Sequence, residues 1–453
     1  MLCPILLIAA TPSVPSSLSI PIIFAPVFTI VIFAKILLSV DGKRFIKANR
    51  TVIAAVSITI ILFALTNYVI ALKLFGVSTT HWLRGAAPFM LLVAVLPFLI
   101  AFRQFKRITI MQPFYIGAGG IIHCLTVLHT YITNELWRDL KWVYINNTWQ
   151  RLPDSAIVDK DVLVTKLRVT LLQPNATSIM IIMVSILAIM IIYLSNKRSF
   201  IVASSLLLSL AIFTIFTAYT RSMMLVFLVT AFMMLFLSLK CLPTKRSARK
   251  IILISALILI TSIASIAVQG SQLVLANRIY STYQAFNSYT QRENTGPEDI
   301  GFKINKSNSV DANIDSRMNE TRASIRLFQK SPLVGAGLGV TYTIPREVNL
   351  RNTVSKPTAY THNLITYTLM TSGLVGAALV GLLYLPAILH LYRQMLSCKN
   401  LRHFYIIQIS FLFAMSLYSM FFAVFRLPMY NICLAAIIAV SLLDMCAKQE
   451  IIS

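Results

Sequence analysis

The chain has 453 residues, of which 57% are hydrophobic and only 12% charged, and its mean hydropathy is +0.77. These values exclude a soluble globular protein and indicate a polytopic membrane protein. The formal charge of +25 would suggest nucleic-acid binding in a soluble protein. Here the basic residues stand in short loops between apolar runs, which favours membrane orientation, and no nucleic-acid partner is expected.

Runs of about twenty apolar residues bounded by charged or polar residues predict membrane-spanning helices. The segments that fit are 20–40, 51–74, 85–101, 108–132, 177–194, 200–219, 222–239, 251–269, 363–389, 404–424 and 430–447. The first forty residues contain five prolines and could form two short helices instead of one. The predicted fold is therefore all-α, with 11–12 transmembrane helices.

Lysine and arginine in the short loops predict the orientation of the chain in the membrane. An excess of these residues over acids marks the loops that should face the cytoplasm: 41–50, 103–107, 195–199, 240–250 and 390–404. The other loops then face outward, and two of them are long. The predicted organisation is an N-terminal membrane region, 1–269, which includes the outer loop 133–176; a large outer loop with short helices, 270–361; and a C-terminal membrane region, 362–453.

Two arginines lie at outward turns between apolar segments. Arg84 stands in the turn HWLRG, and Arg221 lies in the very short connection between the spans 200–219 and 222–239. A guanidinium in such a place can anchor the helix at lipid phosphates, or it can point inward and hold a substrate anion. Both interpretations remain open for each arginine on these grounds alone.

The large outer loop carries three more arginines in a predicted helix over 316–330, which Asp315 or Ser316 would cap. Arg322 and Arg326 are four residues apart and share a face. Arg317 lies about 140° from Arg322 around the axis, so it is predicted to project into a separate cavity. The alternative is a solvated amphipathic helix with no ligand.

Glycine recurs at every second position directly after this helix, at Gly335, Gly337 and Gly339. Such spacing predicts a tight backbone turn that returns the chain to the membrane. The run has neither the lysine of a nucleotide P-loop nor the G-x-G-x-x-G spacing of a dinucleotide fold. No ATP or NAD site is therefore expected here.

His362 opens the next apolar segment, THNLITYTLMTSGLVG, directly after the large polar loop. This order predicts a titratable ring where membrane meets water, which suits chemistry on a lipid-linked substrate. Asn363 is predicted to cap the helix or to orient the histidine. The histidine is the candidate for proton transfer.

Three motifs together carry a resemblance to a known family. They are an arginine at an outward turn (TAYTRSMM), a second arginine fifteen residues before a Pro-Gly turn (SR…SPLVGAG), and His-Asn followed by nine residues and Gly-x-x-Gly. In this order they resemble the O-antigen ligase and polymerase superfamily of Gram-negative inner membranes. The specific motifs lie within 219–376, and the N-terminal half is similar in hydropathy only. The His-Asn-x9-Gly-x-x-Gly pattern is typical of the ligases.

The resemblance implies a role for each candidate residue. His362 would be the catalytic histidine, and Arg221 and Arg317 would hold the pyrophosphate. Arg326 competes with Arg317, since Arg326 followed by ten residues and Gly337 also resembles an arginine motif of polymerases. The remaining candidates for an auxiliary role are Arg322, Arg84 and Asn363.

The implied activity is transfer of a finished polysaccharide from undecaprenyl pyrophosphate to a sugar hydroxyl of lipid A core, at the periplasmic face of the inner membrane. A single displacement would invert the anomeric centre. Lipid pyrophosphate is a good leaving group, and the sequence has no acidic cluster or His/Cys spacing for a metal, so no cofactor is expected.

Two alternatives remain. An O-antigen polymerase would use the same arginines and a second lipid-linked repeat unit as acceptor. A lipid-linked glycan flippase would line a path with the arginines and transfer no proton, but it is expected to show internal repeats and intramembrane charges in both halves, which this sequence lacks.

Overall fold

The computed structural model describes most of the predicted membrane segments and the second half of the large loop. The described residues are 50–90, 95–104, 106–133, 142–145, 148–151, 174–217, 221–243, 247–268, 311–349, 352–358, 361–426 and 428–443, together with the single positions 38, 43 and 47. Apart from Leu38, the predicted span 20–40 lies outside them, as does the stretch 269–310.

Helices dominate the described residues. They are α1 (Arg50–Phe75), α2 (Thr79–Met90), α3 (Val95–Gln104), α4 (Lys106–Thr133), α5 (Pro174–Leu194), α6 (Arg198–Thr217), α7 (Arg221–Cys241), α8 (Ser247–Val268), α9 (Asp311–Lys330), α10 (Leu364–Ser397), α11 (Arg402–Ser419) and α12 (Pro428–Ser441). Four short strands accompany them: β1 (Trp142–Ile145), β2 (Thr148–Arg151), β3 (Tyr342–Asn349) and β4 (Asn352–Thr358).

The helical membrane architecture predicted from hydropathy is confirmed. Within the described residues, 6 helices are long and apolar enough to cross a membrane, and shorter apolar helices occupy Phe63–Phe75, Ile179–Leu194 and Tyr430–Ser441. Over the predicted span 85–101, the described helices are α2, which ends at Met90, and α3, which begins at Val95.

Both long polar loops contain a β-hairpin, which the all-α prediction missed. In the first, β1 pairs antiparallel with β2, with Trp142 opposite Arg151 and Ile145 opposite Thr148. In the second, β3 pairs antiparallel with β4 and the register shifts between Glu347 and Asn349. Aromatic and β-branched residues favour these strands. The loop 270–361 therefore holds a hairpin as well as a helix.

The first of two compact units comprises residues 1–64, 86–265 and 379–453. At its centre α5 packs against α4, α6, α7 and α11. The side chains from Ile179 to Met190 are all buried, as are those from Tyr430 to Ser441. By contrast, α6 and α8 expose large apolar side chains such as Leu206, Ile252 and Ile260. These outer faces suit contact with lipid chains.

The second unit comprises residues 65–85 and 266–378. It contains the end of α1, the start of α2, all of α9, the hairpin β3–β4 and the first part of α10. Within it, α9 packs against β3. The glycine-rich segment 331–339 connects α9 to the hairpin. Because the unit contains both α9 and the start of α10, it holds most of the predicted site residues.

The arginine-rich helix is longer than predicted. It begins at Asp311 and ends at Lys330, so Asp315 and Ser316 lie inside it and the proposed capping role for them is wrong. Arg317 consequently lies in the second turn of α9.

Candidate active site

Asn363 is the N-cap of α10. Its side-chain Oδ1 accepts hydrogen bonds from the backbone N–H of Ile365 at 2.8 Å and of Thr366 at 3.2 Å. The hydroxyl of Thr361 donates to the carbonyl of Asn363 at 3.0 Å. Capping the helix was one of the two roles predicted for Asn363, and these hydrogen bonds show that its side chain does cap α10. The cap fixes the residue before it, His362, at the mouth of the helix.

His362 lies against a carboxylate from α9. Its Nδ1 is 2.6 Å from Oε2 of Glu320, and the side chains are 19% and 2% exposed, respectively. The two residues are 42 positions apart, so the contact joins the start of α10 to the middle of α9. Sequence reasoning did not identify Glu320 as a site residue.

Glu320 is buried although α9 is a strongly polar helix. It shares a face with Ser324, one turn later, which is also fully buried and donates its hydroxyl to the Glu320 carbonyl at 2.7 Å. Burying a carboxylate is costly unless hydrogen bonds compensate it. The histidine ring supplies such a partner. An acidic residue on the buried side of an amphipathic helix was the signal available in the sequence.

The arginines of α9 lie at different angles from Glu320. At 100° per residue, Arg317 is about 60° from Glu320 around the axis, Arg326 about 120° and Arg322 about 160°. All three are exposed. Arg317 therefore flanks the side of α9 that carries Glu320, while Arg322 and Arg326 occupy the opposite side. The predicted separation of Arg317 from the other two is retained in the helix.

The two remaining arginine candidates occupy helix positions. Arg221 is the first residue of α7 and belongs to the first compact unit, in agreement with its predicted place after a short connection. Arg84 lies inside α2, within the second unit, and the predicted turn at HWLRG is wrong. The convergence of Arg221 with His362 remains a prediction.

α10 is broken about three turns after His362. Gly373 has φ 60° and ψ −158°, values that end the regular helix at this point. The segment 331–339 bonds to the backbone on both sides of the break. Ala336 N–H donates to the Met370 carbonyl at 2.7 Å, and Leu374 N–H donates to the Pro332 carbonyl at 2.9 Å. The groups freed by the break are thus paired with backbone of the glycine-rich segment.

Asn67 of α1 contacts both partners in this junction, which we define as the glycine-rich segment 331–339 and the break in α10. Its Nδ2 donates to the Thr371 carbonyl at 3.1 Å, and its Oδ1 accepts from the backbone N–H of Leu338 at 2.8 Å and from Trp82 Nε1 at 3.2 Å. The side chain is 2% exposed. A single amide therefore connects α1, α2, the glycine-rich segment and α10. An asparagine within the apolar run LFALTNYVIAL was the signal in the sequence.

The glycines of the motifs are explained by close backbone approach. Gly335 has φ 70°, and a Cβ there would overlap the backbone of Thr371, Ser372 and Gly373. At Gly376, a Cβ would overlap the side chain of Ser372. The tight turn predicted from the glycine run is confirmed. The Gly-x-x-Gly pattern has a packing role at the break in α10 and does not itself supply chemical groups.

The chemistry available to this unit combines an acid–base pair with arginines on the helix that carries its carboxylate. An imidazole held by a buried carboxylate can accept a proton at its other nitrogen, as in the triads of hydrolases. An arginine stays protonated and offers paired donors to phosphate oxygens. The apolar helices indicate a multi-pass membrane protein, and its His362–Glu320 pair has the groups needed to transfer a proton.

Comparison with known families gives a specific match. Residues 206–381 match the family described as O-antigen ligase. This range includes Arg221, Arg317, His362 and both glycines of the last motif. The match agrees with the resemblance drawn from the motifs, and it supports an activity of the ligase or polymerase type. No curated protein matches the chain.

Proposed function

We propose that the protein is an O-antigen ligase of the Gram-negative inner membrane, working at the periplasmic face. The donor is polysaccharide on undecaprenyl pyrophosphate, and the acceptor is a sugar hydroxyl of lipid A core. The observation that carries the proposal is the capped His362 beside Glu320, inside the segment that matches the O-antigen ligase family. The His-Asn-x9-Gly-x-x-Gly pattern around it favours the ligase over the polymerase.

The reaction is a single displacement. The acceptor oxygen attacks the anomeric carbon of the donor sugar, and the bond between that carbon and the pyrophosphate oxygen breaks. The bonding electron pair leaves with undecaprenyl pyrophosphate, and the acceptor proton passes to His362. A general base of this kind contributes roughly 10²–10⁴-fold to the rate. The anomeric configuration is inverted, and no metal or nucleotide takes part.

Arg221 and Arg317 are proposed to bind the pyrophosphate. Their guanidinium groups neutralise charge that builds on the leaving group, and removing one such donor typically costs about 2.7–4 kcal/mol of barrier. The position of Arg317 on the flank of α9 near Glu320 supports it over Arg326, which lies on the opposite side. Arg322, Arg326 and Arg84 are left with an auxiliary role at most.

A reconstituted assay tests the proposal. Purified protein, lipid-linked polymer and core acceptor are combined with a chelator present, and polymer attached to the core is measured. Wild type transfers polymer, while His362→Ala loses roughly 10²–10⁴-fold in kcat. In cells the same variant accumulates undecaprenyl-linked polymer. Loss of the polymer itself would identify a polymerase instead, and full transfer by His362→Ala would reject the histidine as base.

The arginine assignment is the second arm of the same assay. Arg317→Lys and Arg221→Lys keep the charge but lose the two-pronged contact with phosphate, so both lower kcat/KM. Arg326→Lys is the matched control, because it makes the same change on the far side of α9. A defect at Arg326 equal to that at Arg317 would transfer the role to the competing arginine.

A further inference from the structure

We propose that Glu320 is a positioning residue for the transfer reaction, acting through His362. Its buried carboxylate accepts a hydrogen bond from the Nδ1–H of His362, which fixes the tautomer with the lone pair on Nε2 and the orientation of the ring. This inference rests on the proposed function and adds to it a residue that none of the sequence motifs contains.

The contact geometry carries the first step. The Nδ1 to Oε2 distance of 2.6 Å is short for a nitrogen–oxygen hydrogen bond, as expected when the acceptor is ionised. With Nδ1 as the donor, the neutral ring keeps its other lone pair on Nε2. Nε2 is then the nitrogen that accepts the proton of the sugar hydroxyl.

The burial of Glu320 carries the second step. When Nε2 takes the acceptor proton, His362 becomes an imidazolium, and both ring nitrogens then carry protons. The Nδ1 proton stays where it was, donated to Glu320, so no proton passes to the carboxylate. A negative charge that is 2% exposed interacts more strongly with the new positive charge than an exposed one would. The carboxylate therefore stabilises the state that forms during the transfer.

The surrounding contacts show why a purely structural role is insufficient. The start of α10 is already fixed by the Asn363 cap, and its break is fixed by the backbone bonds from the segment 331–339. Replacing a buried ionic pair by apolar side chains is often neutral or stabilising. A carboxylate kept inside the polar helix α9 and directed at the predicted base is better explained by the chemistry of that base.

The test uses the full-length protein in the reconstituted transfer assay. Glu320→Gln keeps the shape but removes the charge, and its amide can donate to Nδ1 and select the wrong tautomer. We expect kcat to fall at least roughly tenfold, and no further than in His362→Ala, while the KM values for donor and acceptor stay unchanged. Ser324→Ala is the matched control, since it alters the same buried face of α9 one turn away.

A double variant separates positioning from an independent role. In the His362→Ala background, Glu320→Gln is expected to cause no further loss of the residual rate, because the group through which it acts is gone. A further loss there, or wild-type kcat for Glu320→Gln alone, would overturn the inference. Inactive His362→Ala with fully active Glu320→Gln would leave the proposed function standing. An active His362→Ala would instead reject the proposed function.

Thermal unfolding of each variant shows whether a loss of activity comes from a loss of folding. If Glu320→Gln does not fold, Glu320→Asp takes its place, because it retains the charge on a side chain one methylene shorter. Its kcat should lie between those of wild type and His362→Ala, with unchanged KM values. A kcat as low as that of His362→Ala in a folded Glu320→Asp protein would show that the charge does not rescue function, and the proposal would fail.

Discussion

α5 and the first part of α10 are both apolar helices, yet they satisfy their backbones in different ways. In α5 the one polar side chain between Ile179 and Met190 is Ser185, whose hydroxyl bonds to the Ile181 carbonyl of the same helix. In α10 the carbonyls of Met370 and Thr371 accept hydrogen bonds from another segment of the chain. The backbone hydrogen bonds of this part of α5 are therefore made within the helix, whereas those at the break in α10 are made with other segments.

The difference indicates where function is placed in this molecule. An apolar environment requires every backbone group to be paired, so a broken helix persists only where surrounding groups pair with it. Asn67 and the segment 331–339 provide that pairing within the second unit. The same packing keeps α9 and the start of α10 together, and so places Glu320 against His362. The irregular helix is thus the one that carries the candidate site.

The largest loss of stability is expected from adding a side chain where the segment 331–339 packs against α10. Gly335→Ala places a Cβ against the backbone of α10 at a residue with φ 70°. Strain and overpacking each cost about 1–3 kcal/mol, so together we expect about 2–6 kcal/mol of lost stability, measured as a lower thermal unfolding midpoint in detergent.

Gly381→Ala is the control for that variant, because it lies in the same helix with nothing within 4 Å of an added Cβ. It should be neutral or stabilising by about 0.5–1 kcal/mol, since alanine favours a helix interior. Equal destabilisation by the two substitutions would mean that the effect does not come from close packing at Gly335, and would contradict the prediction.

Hydropathy predicted the helices well because a membrane span is a local property of about twenty residues. The described helices α4 to α8 agree with the predicted spans to within a few residues. Failures occurred where the outcome depends on turn chemistry or distant contacts. The hairpins in the polar loops have short strands with little hydrophobic alternation, so hydropathy gave no signal for them.

The candidate site was predictable in part. His362 and Asn363 could be identified from their order after a polar loop, and the glycines from their spacing. Glu320 was marked only as an acidic residue on the buried side of a helix, and its contact with His362, 42 positions away, could not be predicted. Asn67 is more distant still, 304 positions from its partner Thr371. A local pattern marked each residue as unusual, but only the fold specifies which distant residue it contacts.

A second variant tests the dependence of α10 on α1. Asn67→Ala leaves the Leu338 N–H and the Thr371 carbonyl without their side-chain partner, and an unsatisfied buried group costs about 1–3 kcal/mol. Ser185→Ala is the counterpart in α5 and should cost less than about 1 kcal/mol, because the Ile181 carbonyl belongs to a continuous helix. Thermal unfolding of both variants measures the difference, and equal losses would contradict the contrast.

The smallest expected effect concerns the buried bundle itself. Ile182→Val in α5 removes one methyl group from a side chain that is 0% exposed, so we expect a loss of about 0.5–1.5 kcal/mol in stability. Ile260→Val makes the same change on the outer face of α8, where the side chain is 65% exposed and no cavity forms. Neither variant should alter kcat or KM in the transfer assay. A change in kcat for a fully folded Ile182→Val protein would show that α5 affects the reaction. The contrast between α5 and the broken helix α10 would then not hold.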